Sequence, residues 1–165
     1  MGDVAGKSVL EIGFHDGEMA RAFADRGAVV TAVEINPESY KSVRPHPNVN
    51  FILYDGNLDA IPGAFDFVFT KSVLVASGLE ILPAIRCKLK PTGRVVFIEN
   101  GRGGTFSRLL RRLRHPAKSF AHLDYFSGGH IARIEELFKV DVEYNSFPPV
   151  YLIRGHVISR RTTAR

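Results

Sequence analysis

A glycine-containing turn and an acidic residue downstream of it have the types and spacing needed to bind a nucleotide. Gly13 and Gly17 follow an apolar run, and Glu34 ends a second apolar run 21 residues after Gly13. Glycines let the backbone turn sharply and come close to a ligand. An acid about 20 residues beyond the first glycine can accept hydrogen bonds from both ribose hydroxyls. The spacing therefore predicts a nucleotide site made by this turn and Glu34.

The elements around the turn have the order that such a site requires. Residues 8–36 read as an apolar strand, the turn, a helix with one apolar stripe and a second apolar strand. This βαβ order brings the turn and Glu34 to the carboxyl ends of neighbouring parallel strands. A carboxylate at the end of an apolar strand is costly to desolvate unless it is paired, and a ribose diol would pair it. We therefore predict that Glu34 binds the ribose.

The residues of the turn distinguish between two kinds of nucleotide. A dinucleotide fingerprint G-x-G-x-x-G that begins at Gly13 would need glycines at 15 and 18, where the chain has His15 and Glu18. The pattern acid-x-G-x-G-x-G reads Glu11, Gly13, His15 and Gly17, so only its middle glycine is replaced. This second pattern resembles the first motif of class I S-adenosylmethionine-dependent methyltransferases.

Three further segments resemble the same family and come in the same order. The segment FILYDGNLDAIP (51–62) resembles its third strand and adenine-side loop, and FDFVFTKSVL (65–74) resembles its fourth strand. LKPTGRVVFIEN (89–100) resembles its fifth strand with the turn before it. The resemblance covers residues 8–100. It implies a methyltransferase that uses S-adenosylmethionine and releases S-adenosylhomocysteine.

The resemblance also implies which residues bind this cofactor. On the ribose and methionine side they are Glu11, Gly13, Phe14, His15, Gly17, Glu34 and Ile35. On the adenine side they are Asp55, Gly56, Asn57 and Leu58, and at the end of the fourth strand Thr70 and Lys71. Two registers stay open on the adenine side, with either Asp55 or Asn57 accepting the adenine amino group. His15 replaces a glycine, so its side chain points to solvent, lies against the carboxylate end of the cofactor, or excludes the cofactor.

The transfer step needs alignment and at most a base, because the sulfonium is already an activated methyl donor. The candidate bases lie in the segment HLDYFSGGH and are His122, Asp124, Tyr125 and His130. Each of these histidines could equally be structural or exposed to solvent. Since no Cys/His spacing suits zinc, we expect no metal.

The charge of the chain is divided unevenly. Residues 1–66 carry 5 Lys/Arg and 10 Asp/Glu, whereas residues 67–165 carry 17 and 7. A predicted helix at 105–114 presents leucines on one face and basic side chains around the other, namely Arg108, Arg111, Arg112 and Arg114. Such a face is either merely solvated or binds an anionic acceptor, nucleic acid or a membrane surface. Since no aromatic residues alternate with these arginines, an anionic or lipid-linked small acceptor is favoured over RNA.

The whole pattern predicts one α/β methyltransferase domain over residues 1–165, with a basic insertion at 101–127. We expect a Rossmann-like doubly wound sheet of seven strands, the first five parallel, ending in an antiparallel hairpin. The predicted strands are 8–13, 28–34, 49–54, 65–70, 94–99, 139–146 and 150–158. The predicted helices are 17–26, 37–43, 73–89, 105–114 and 128–138, with Pro83 kinking or dividing the third.

Two further expectations concern location and activity. No apolar run has the roughly 18 residues that a membrane span needs, so we expect a cytoplasmic protein. The replacement of a glycine by His15, and Thr92 in place of a second turn glycine, leave an alternative function open. In that alternative the chain is a cofactor-binding or regulatory subunit without catalysis.

Overall fold

A computed structural model describes residues 3–101, 126–146 and 148–158 of the chain. The strands are β1 (Ser8–Ile12), β2 (Val29–Glu34), β3 (Val49–Leu53), β4 (Phe65–Lys71), β5 (Leu89–Asn100), β6 (Phe138–Ser146) and β7 (Pro149–Val157). The helices are α1 (Glu18–Ala24), α2 (Pro37–Ser42), α3 (Leu74–Ser77), α4 (Leu82–Cys87) and α5 (Gly128–Glu135). Short 3-10 turns lie at Leu58–Ala60 and Leu79–Ile81. None of the helices within these ranges is long and apolar enough to cross a membrane.

The seven strands form one sheet in the order β3-β2-β1-β4-β5-β7-β6. The pairs among β1 to β5 are all parallel, whereas β7 pairs antiparallel with both β5 and β6. This arrangement confirms the predicted doubly wound sheet with its terminal hairpin. It also places the carboxyl ends of β1, β2 and β4 side by side, where an open parallel sheet binds its ligands.

Helices cover both faces of the sheet, so successive residues of the central strands enter different cores. Leu10 and Ile12 of β1 belong to the core that also contains residues of α4 and α5. Val9 of β1 and Phe69 of β4 belong to the opposite core, where the ring of Phe23 from α1 packs edge-on against Phe69. Both cores end at the carboxyl edge of the sheet, and they hold the loops there in place.

The segment between β4 and β5 corrects one prediction in its details. It is divided into α3, a 3-10 turn and α4, as a divided helix would be, but Pro83 is not the cause. Pro83 lies in the first turn of α4, where a missing N–H is tolerated. The chain breaks instead at Gly78, whose φ of 79° and ψ of 169° no helix can contain. A glycine supplies this conformation at little steric cost.

Some element boundaries also differ from the predictions. β5 already begins at Leu89 and pairs irregularly with β4, because its register shifts between Phe65 and Phe67. The last helix ends at Glu135 because Phe138 is buried in the sheet as the first residue of β6. The predicted helix at 105–114 lies outside the described residues.

The amino-terminal edge of the sheet is held by one carboxylate. Asp66 Oδ2 accepts hydrogen bonds from the backbone N–H and the hydroxyl of Ser8, both at 2.8 Å, and from Lys90 Nζ at 2.8 Å. These three donors hold the pKa of Asp66 well below its usual range, the Lys90 hydrogen bond contributing most. The cluster holds β1, β4 and β5 together at the edge remote from the loop that follows β1.

Candidate active site

The loop between β1 and α1, residues 13–17, is shaped by two glycines with positive φ. Gly13 has φ 76° and Gly17 has φ 71°. A Cβ atom at Gly13 would lie 2.6 Å from Val73 Cγ2, and one at Gly17 would lie 2.6 Å from Val43 Cγ2. Both sites therefore need glycine for space as well as for conformation. We refer to residues 13–17 as the cofactor loop.

His15 takes the place of the missing glycine and keeps a glycine-like backbone. Its φ is 51°, in the left-handed region that residues other than glycine seldom adopt, although Asn, Asp and His do so more often than the rest. Its N–H donates to Glu34 Oε2 at 2.9 Å, and its side chain is exposed. The loop therefore follows its path despite the substitution, and the strain is offset by a hydrogen bond to a carboxylate.

Glu34 lies at the carboxyl end of β2, where both its oxygens are engaged. Its side chain is 8% exposed, and Oε1 accepts the N–H groups of Ile35 and Asn36, each at 2.9 Å. Oε2 accepts the N–H of His15. A carboxylate has about four acceptor positions, so one position on Oε2 remains for a ligand hydroxyl. Glu34 thus fixes the cofactor loop in addition to the ribose role predicted from its spacing.

Glu11 is a buried acid directly beneath the cofactor loop. It is 2% exposed, and its Oε2 has no hydrogen-bond partner within the described ranges. Burial, and secondarily the charge of Asp16, raises the pKa of Glu11 to about 8, while a hydrogen bond with the backbone of Ala20 and, less strongly, the charge of Lys71 oppose this shift. Buried polar atoms without a partner are few in folded proteins and call for a ligand, a water or strain as their explanation.

The predicted adenine side consists of two consecutive side-chain turns. Asp55 Oδ1 accepts the N–H of Asn57 at 2.9 Å, and Asn57 Oδ1 accepts the N–H of Asp59 at 2.9 Å. The amide oxygen of Asn57 is thereby used to cap the 3-10 turn, whereas Asp55 Oδ2 points to no protein donor among the described residues. Ile35 nearby is 61% exposed, and its Cδ1 would lie 3.8 Å from a Cβ at Gly56. This leaves an apolar side chain beside an acidic one at the carboxyl ends of β2 and β3.

Several predicted site residues have their side chains in the cores. Phe14 is 2% exposed and packs edge-on against Phe51, with ring centroids 4.9 Å apart. Leu58 is buried too, so these two residues present only their backbone to the edge of the sheet. Thr70 is fully buried, whereas Lys71 is exposed on the sheet face that carries Glu11.

The loop between β4 and α3 lies against the cofactor loop at Gly13, and the sequence analysis did not single out its residues 72 and 73. Ser72 has φ 59°, the second positive φ at a non-glycine residue in the described ranges. Glu99 on β5 is fully buried, and its Oε1 accepts the N–H groups of Val73 at 3.0 Å and Leu74 at 2.9 Å. Glu99 carries the same sequence signal as Glu34, because it too is an acid at the end of an apolar strand. That signal could have identified it.

A groove of about 420 Å³ between α3 and α5 lies beyond this loop. Its apolar residues are Leu74, Val75 and Leu79, and its polar ones are Glu80, His130 and Arg133. His130 Nδ1 accepts the N–H of Ser127 at 3.2 Å, so the neutral ring carries its proton on Nε2. The other candidate bases, His122, Asp124 and Tyr125, lie outside the described residues. The same is true of Arg108, Arg111, Arg112 and Arg114.

A family model for a methyltransferase domain matches residues 2–138. The chain belongs to this family. The sheet order and terminal hairpin are those of the class I S-adenosylmethionine-dependent methyltransferases, as the sequence motifs had indicated. The chain is therefore a methyltransferase domain.

Curated relatives of this methyltransferase domain match part of it. It is 33% identical over 101 residues to a ubiquinone biosynthesis O-methyltransferase of Idiomarina loihiensis, covering 56% of this chain and 42% of that one. It is 32% identical over 103 residues to the protein of the same name from Chromobacterium violaceum, covering 57% and 44%. The chain thus spans less than half the length of the curated relatives that it matches.

Solved structures share the fold of this methyltransferase domain over most of its length. An S-adenosylmethionine-dependent methyltransferase from Mesorhizobium loti matches with a TM-score of 0.68 and 16% identity, covering 94% of this chain and 93% of that one. The magnesium protoporphyrin IX methyltransferase of Synechocystis, solved with bound S-adenosylhomocysteine, has a TM-score of 0.69 and 14% identity, covering 96% and 77%. At these identities the likeness is one of fold.

Proposed function

We propose that this domain transfers the methyl group of S-adenosylmethionine to a hydroxyl oxygen of a small acceptor. The observation that carries the proposal is the hydrogen bond from the N–H of His15 to the carboxylate of Glu34. Glu34 ends β2 with one acceptor position free, and His15 keeps the glycine-like turn that the loop needs. A protein that had lost its cofactor would have no need to hold a strained loop against this acid.

The residues of the site fit the parts of the cofactor. Glu34 accepts a ribose hydroxyl at the free position of Oε2, and Ile35 packs against the adenine ring. Of the two registers left open, Asp55 is favoured for the adenine amino group, because the side-chain oxygen of Asn57 already accepts the N–H of Asp59. Gly13 and Gly17 leave room for the methionine part.

Glu11 is the residue that we assign to the charged end of the cofactor. Its Oε2 is buried and without a partner in the described structure, and the ammonium group of the methionine part is the donor that such an oxygen lacks. A buried acid opposite an ammonium forms an ion pair only after it loses its proton. Cofactor binding therefore shifts the pKa of Glu11 down from about 8.

The chain's own residues contribute mainly alignment to the transfer. The bound sulfonium supplies an activated methyl group, so the protein has to place an acceptor oxygen in line with it. The groove between α3 and α5 gives a small acceptor apolar walls together with the charges of Glu80 and Arg133. His130 can donate from Nε2 to orient the acceptor, since its Nδ1 is already held by Ser127. His122, Asp124 and Tyr125 remain the predicted candidates for a base.

The choice of a hydroxyl oxygen rests on the curated relatives. Both relatives described above are O-methyltransferases by name, and each match covers more than half of this chain. The anionic or lipid-linked character of the acceptor stays a prediction from the basic insertion. The cytoplasmic location and the extent of the domain over residues 1–165 also stay predictions.

Two measurements test this function. Isothermal titration should show binding of S-adenosylhomocysteine in preference to NAD, because the cofactor loop lacks the dinucleotide glycines. Methyl transfer is then assayed with 3,4-dihydroxybenzoate, an anionic catechol, as the probe. The matched control is 3,4-dimethoxybenzoate, which has no free phenolic hydroxyl. Preferred binding of NAD, or equal transfer to both benzoates, would contradict the proposal.

The two alternatives, an RNA methyltransferase and a non-catalytic cofactor-binding subunit, predict different results. An RNA contact through four or more arginines should lose affinity steeply with salt, with a log–log slope of about −3. A small-molecule acceptor should depend on salt far less. Binding of S-adenosylhomocysteine without transfer to the catechol or to a pool of small-molecule extracts would favour a non-catalytic subunit.

A further inference from the structure

The end of β5 makes an unusual set of contacts with the loop that follows β4. Three consecutive residues of β5, 98–100, bind the two loop residues, 72 and 73, and the first residue of α3, Leu74. The carbonyl of Ile98 accepts the N–H of Ser72 at 2.8 Å, and Asn100 Nδ2 donates to Ser72 Oγ at 2.8 Å. Glu99 lies between them and accepts the N–H groups of Val73 and Leu74 through a single oxygen. The whole loop and the start of α3 are thus bound to β5.

The conformation of Ser72 shows that these contacts force the path of the loop. Its φ of 59° is unfavourable for a side-chain-bearing residue and persists only where the surroundings determine it. Ser72 donates its N–H to Ile98 and accepts from Asn100, and the next residue, Val73, donates its N–H to Glu99. The strain at Ser72 turns the chain so that Val73 faces β1.

Val73 connects this loop to the cofactor loop. Its side chain is buried, and its Cγ2 lies 2.6 Å from the position that a Cβ at Gly13 would occupy. Gly13 is the first residue of the cofactor loop, and its N–H donates to the carbonyl of Val33 on β2 at 2.8 Å. A continuous set of contacts therefore runs from Glu99 through Val73 to Gly13.

Glu99 has properties that core packing does not require. It is fully buried, and its Oε2 has no hydrogen-bond partner in the part of the chain that the structure describes. A buried carboxyl group costs desolvation free energy that an apolar residue at the same position would not. Its burial raises the pKa of the Glu99 carboxyl. The neutral acid still has a carbonyl oxygen that can accept both N–H groups, so its contacts survive protonation.

We propose that Glu99 is a positioning residue that sets the shape of the cofactor loop from two strands away. Its Oε1 holds the N–H groups of Val73 and Leu74, and Val73 in turn limits where Gly13 can lie. The inference rests on the proposed function only in taking residues 13–17 to bind S-adenosylmethionine. Glu99 acts through Val73, and we assign it no part in the chemistry of transfer.

The test compares Glu99→Ala with Glu99→Gln. Glutamine keeps an oxygen for the two N–H groups, whereas alanine removes the acceptor. By isothermal titration, Glu99→Ala should weaken S-adenosylhomocysteine binding at least tenfold, and Glu99→Gln should stay within threefold of the wild type. Hydrogen exchange of the Val73 and Leu74 amides should rise in the alanine variant and stay low in the glutamine variant.

Asp66→Ala is the matched control for general destabilisation. It removes a part-buried carboxylate that accepts three hydrogen bonds, but at the opposite edge of the sheet. It should lower the melting temperature without changing the affinity for S-adenosylhomocysteine. Wild-type affinity in Glu99→Ala, or an equal loss in Asp66→Ala, would overturn the proposal.

Two further readouts keep the test decisive. If Glu99→Ala does not fold, Val73→Ala takes its place, because it keeps Glu99 and removes the contact with Gly13. It should weaken S-adenosylhomocysteine binding several-fold, and unchanged binding would refute the connection.

If the wild type itself does not bind S-adenosylhomocysteine, the proposed function fails. The positioning role is then judged by the Gly17 amide, bonded to Phe14 O at 2.7 Å, which should exchange faster in Glu99→Ala only.

Discussion

The polar groups at the two edges of the sheet differ in how fully they are hydrogen-bonded. At the amino-terminal edge, Asp66 accepts three hydrogen bonds and Lys88, though buried, donates to the carbonyl of Ile61 at 2.6 Å. At the carboxyl edge, three buried atoms have no partner within the described residues: Glu11 Oε2, Thr70 Oγ1 and Glu99 Oε2. The positive-φ residues His15 and Ser72 lie at this second edge too. Within the described residues, the strained backbone and the unpartnered buried atoms thus lie at one edge of the sheet.

This difference separates stability from function within one small fold. Groups that are fully satisfied hold the strands together and have no capacity left for a ligand. Groups that are strained or unsatisfied cost folding free energy, and proteins keep them where a bound molecule or a required geometry compensates. The carboxyl edge should therefore respond to mutation chiefly in ligand binding, and the amino-terminal edge chiefly in stability.

The largest effect on binding is expected from Glu34→Ala. The change removes a charged acceptor of the ribose and also releases the N–H of His15. We expect a loss of about 2–3 kcal/mol in S-adenosylhomocysteine affinity, measured by isothermal titration. Glu38→Ala, on the exposed face of α2, is the matched control and should bind as the wild type does. An unchanged affinity in Glu34→Ala would show that the ribose lies elsewhere.

Mutation at the amino-terminal edge should change stability and leave ligand binding unchanged. Asp66→Asn should lower the free energy of unfolding by about 1–2 kcal/mol at neutral pH, because the hydrogen bonds and the pairing with Lys90 are weakened. The lowered pKa of Asp66 means that its contribution is complete above its ordinary pKa of 3.8 and is lost as the pH falls below that value. Urea unfolding at several pH values should thus show the two proteins converging in acid. A difference that persists undiminished in strong acid would contradict this account.

The pH dependence of binding should identify Glu11. The free protein holds a proton on Glu11 up to a pKa of about 8, and pairing with the cofactor ammonium requires its release. Affinity for S-adenosylhomocysteine should therefore rise several-fold between about pH 7 and pH 8.5, with proton release visible in titrations in buffers of different ionisation enthalpy. Glu11→Gln should bind more weakly and lose this pH dependence. Proton uptake on binding would exclude the assigned role.

The smallest effect is expected at His15. Replacing His15 with Gly removes a strained left-handed conformation but increases the conformational entropy of the unfolded chain. The net change should be a stabilisation of about 0.5–1 kcal/mol, seen as a small rise in melting temperature. Cofactor affinity should stay within threefold, because the N–H that binds Glu34 remains. A large gain in affinity would mean that the imidazole obstructs the cofactor.

Much of the fold could be predicted because apolar runs and turn residues encode it locally. The strands containing Val9, Phe67 and Val96 read as apolar segments, and the short connection at Pro148 allows only a hairpin. The break at Gly78 was less visible, because a nearby proline appeared to explain it. A helix tolerates proline in its first turn, so Pro83 does not interrupt the helix although the sequence suggested that it would.

A site residue could be predicted where its role follows from its sequence distance to another motif residue. It could not be predicted where its role depends on contacts formed only in the folded chain. Glu34 follows from its distance to Gly13, and the structure adds the bond from His15 that no spacing encodes. Glu99 lies near the end of a strand in the same manner, but its partners Val73 and Leu74 are 26 and 25 residues away and contribute only backbone. Backbone donors leave no trace in residue types, so such contacts become visible only once the chain is folded.

The sheet also determines how freely this enzyme could acquire new acceptors. Gly101 and Phe126 form a parallel bridge, with the N–H of Phe126 donating to the carbonyl of Asn100 at 3.1 Å. Residues 101 and 126, on either side of positions 102–125, are therefore fixed next to each other, and β1 to β5 all precede them. Under the prediction that the basic insertion at 101–127 selects the acceptor, changes in its length or sequence would leave the register of β1 to β5 unchanged. Acceptor choice could then change independently of cofactor binding.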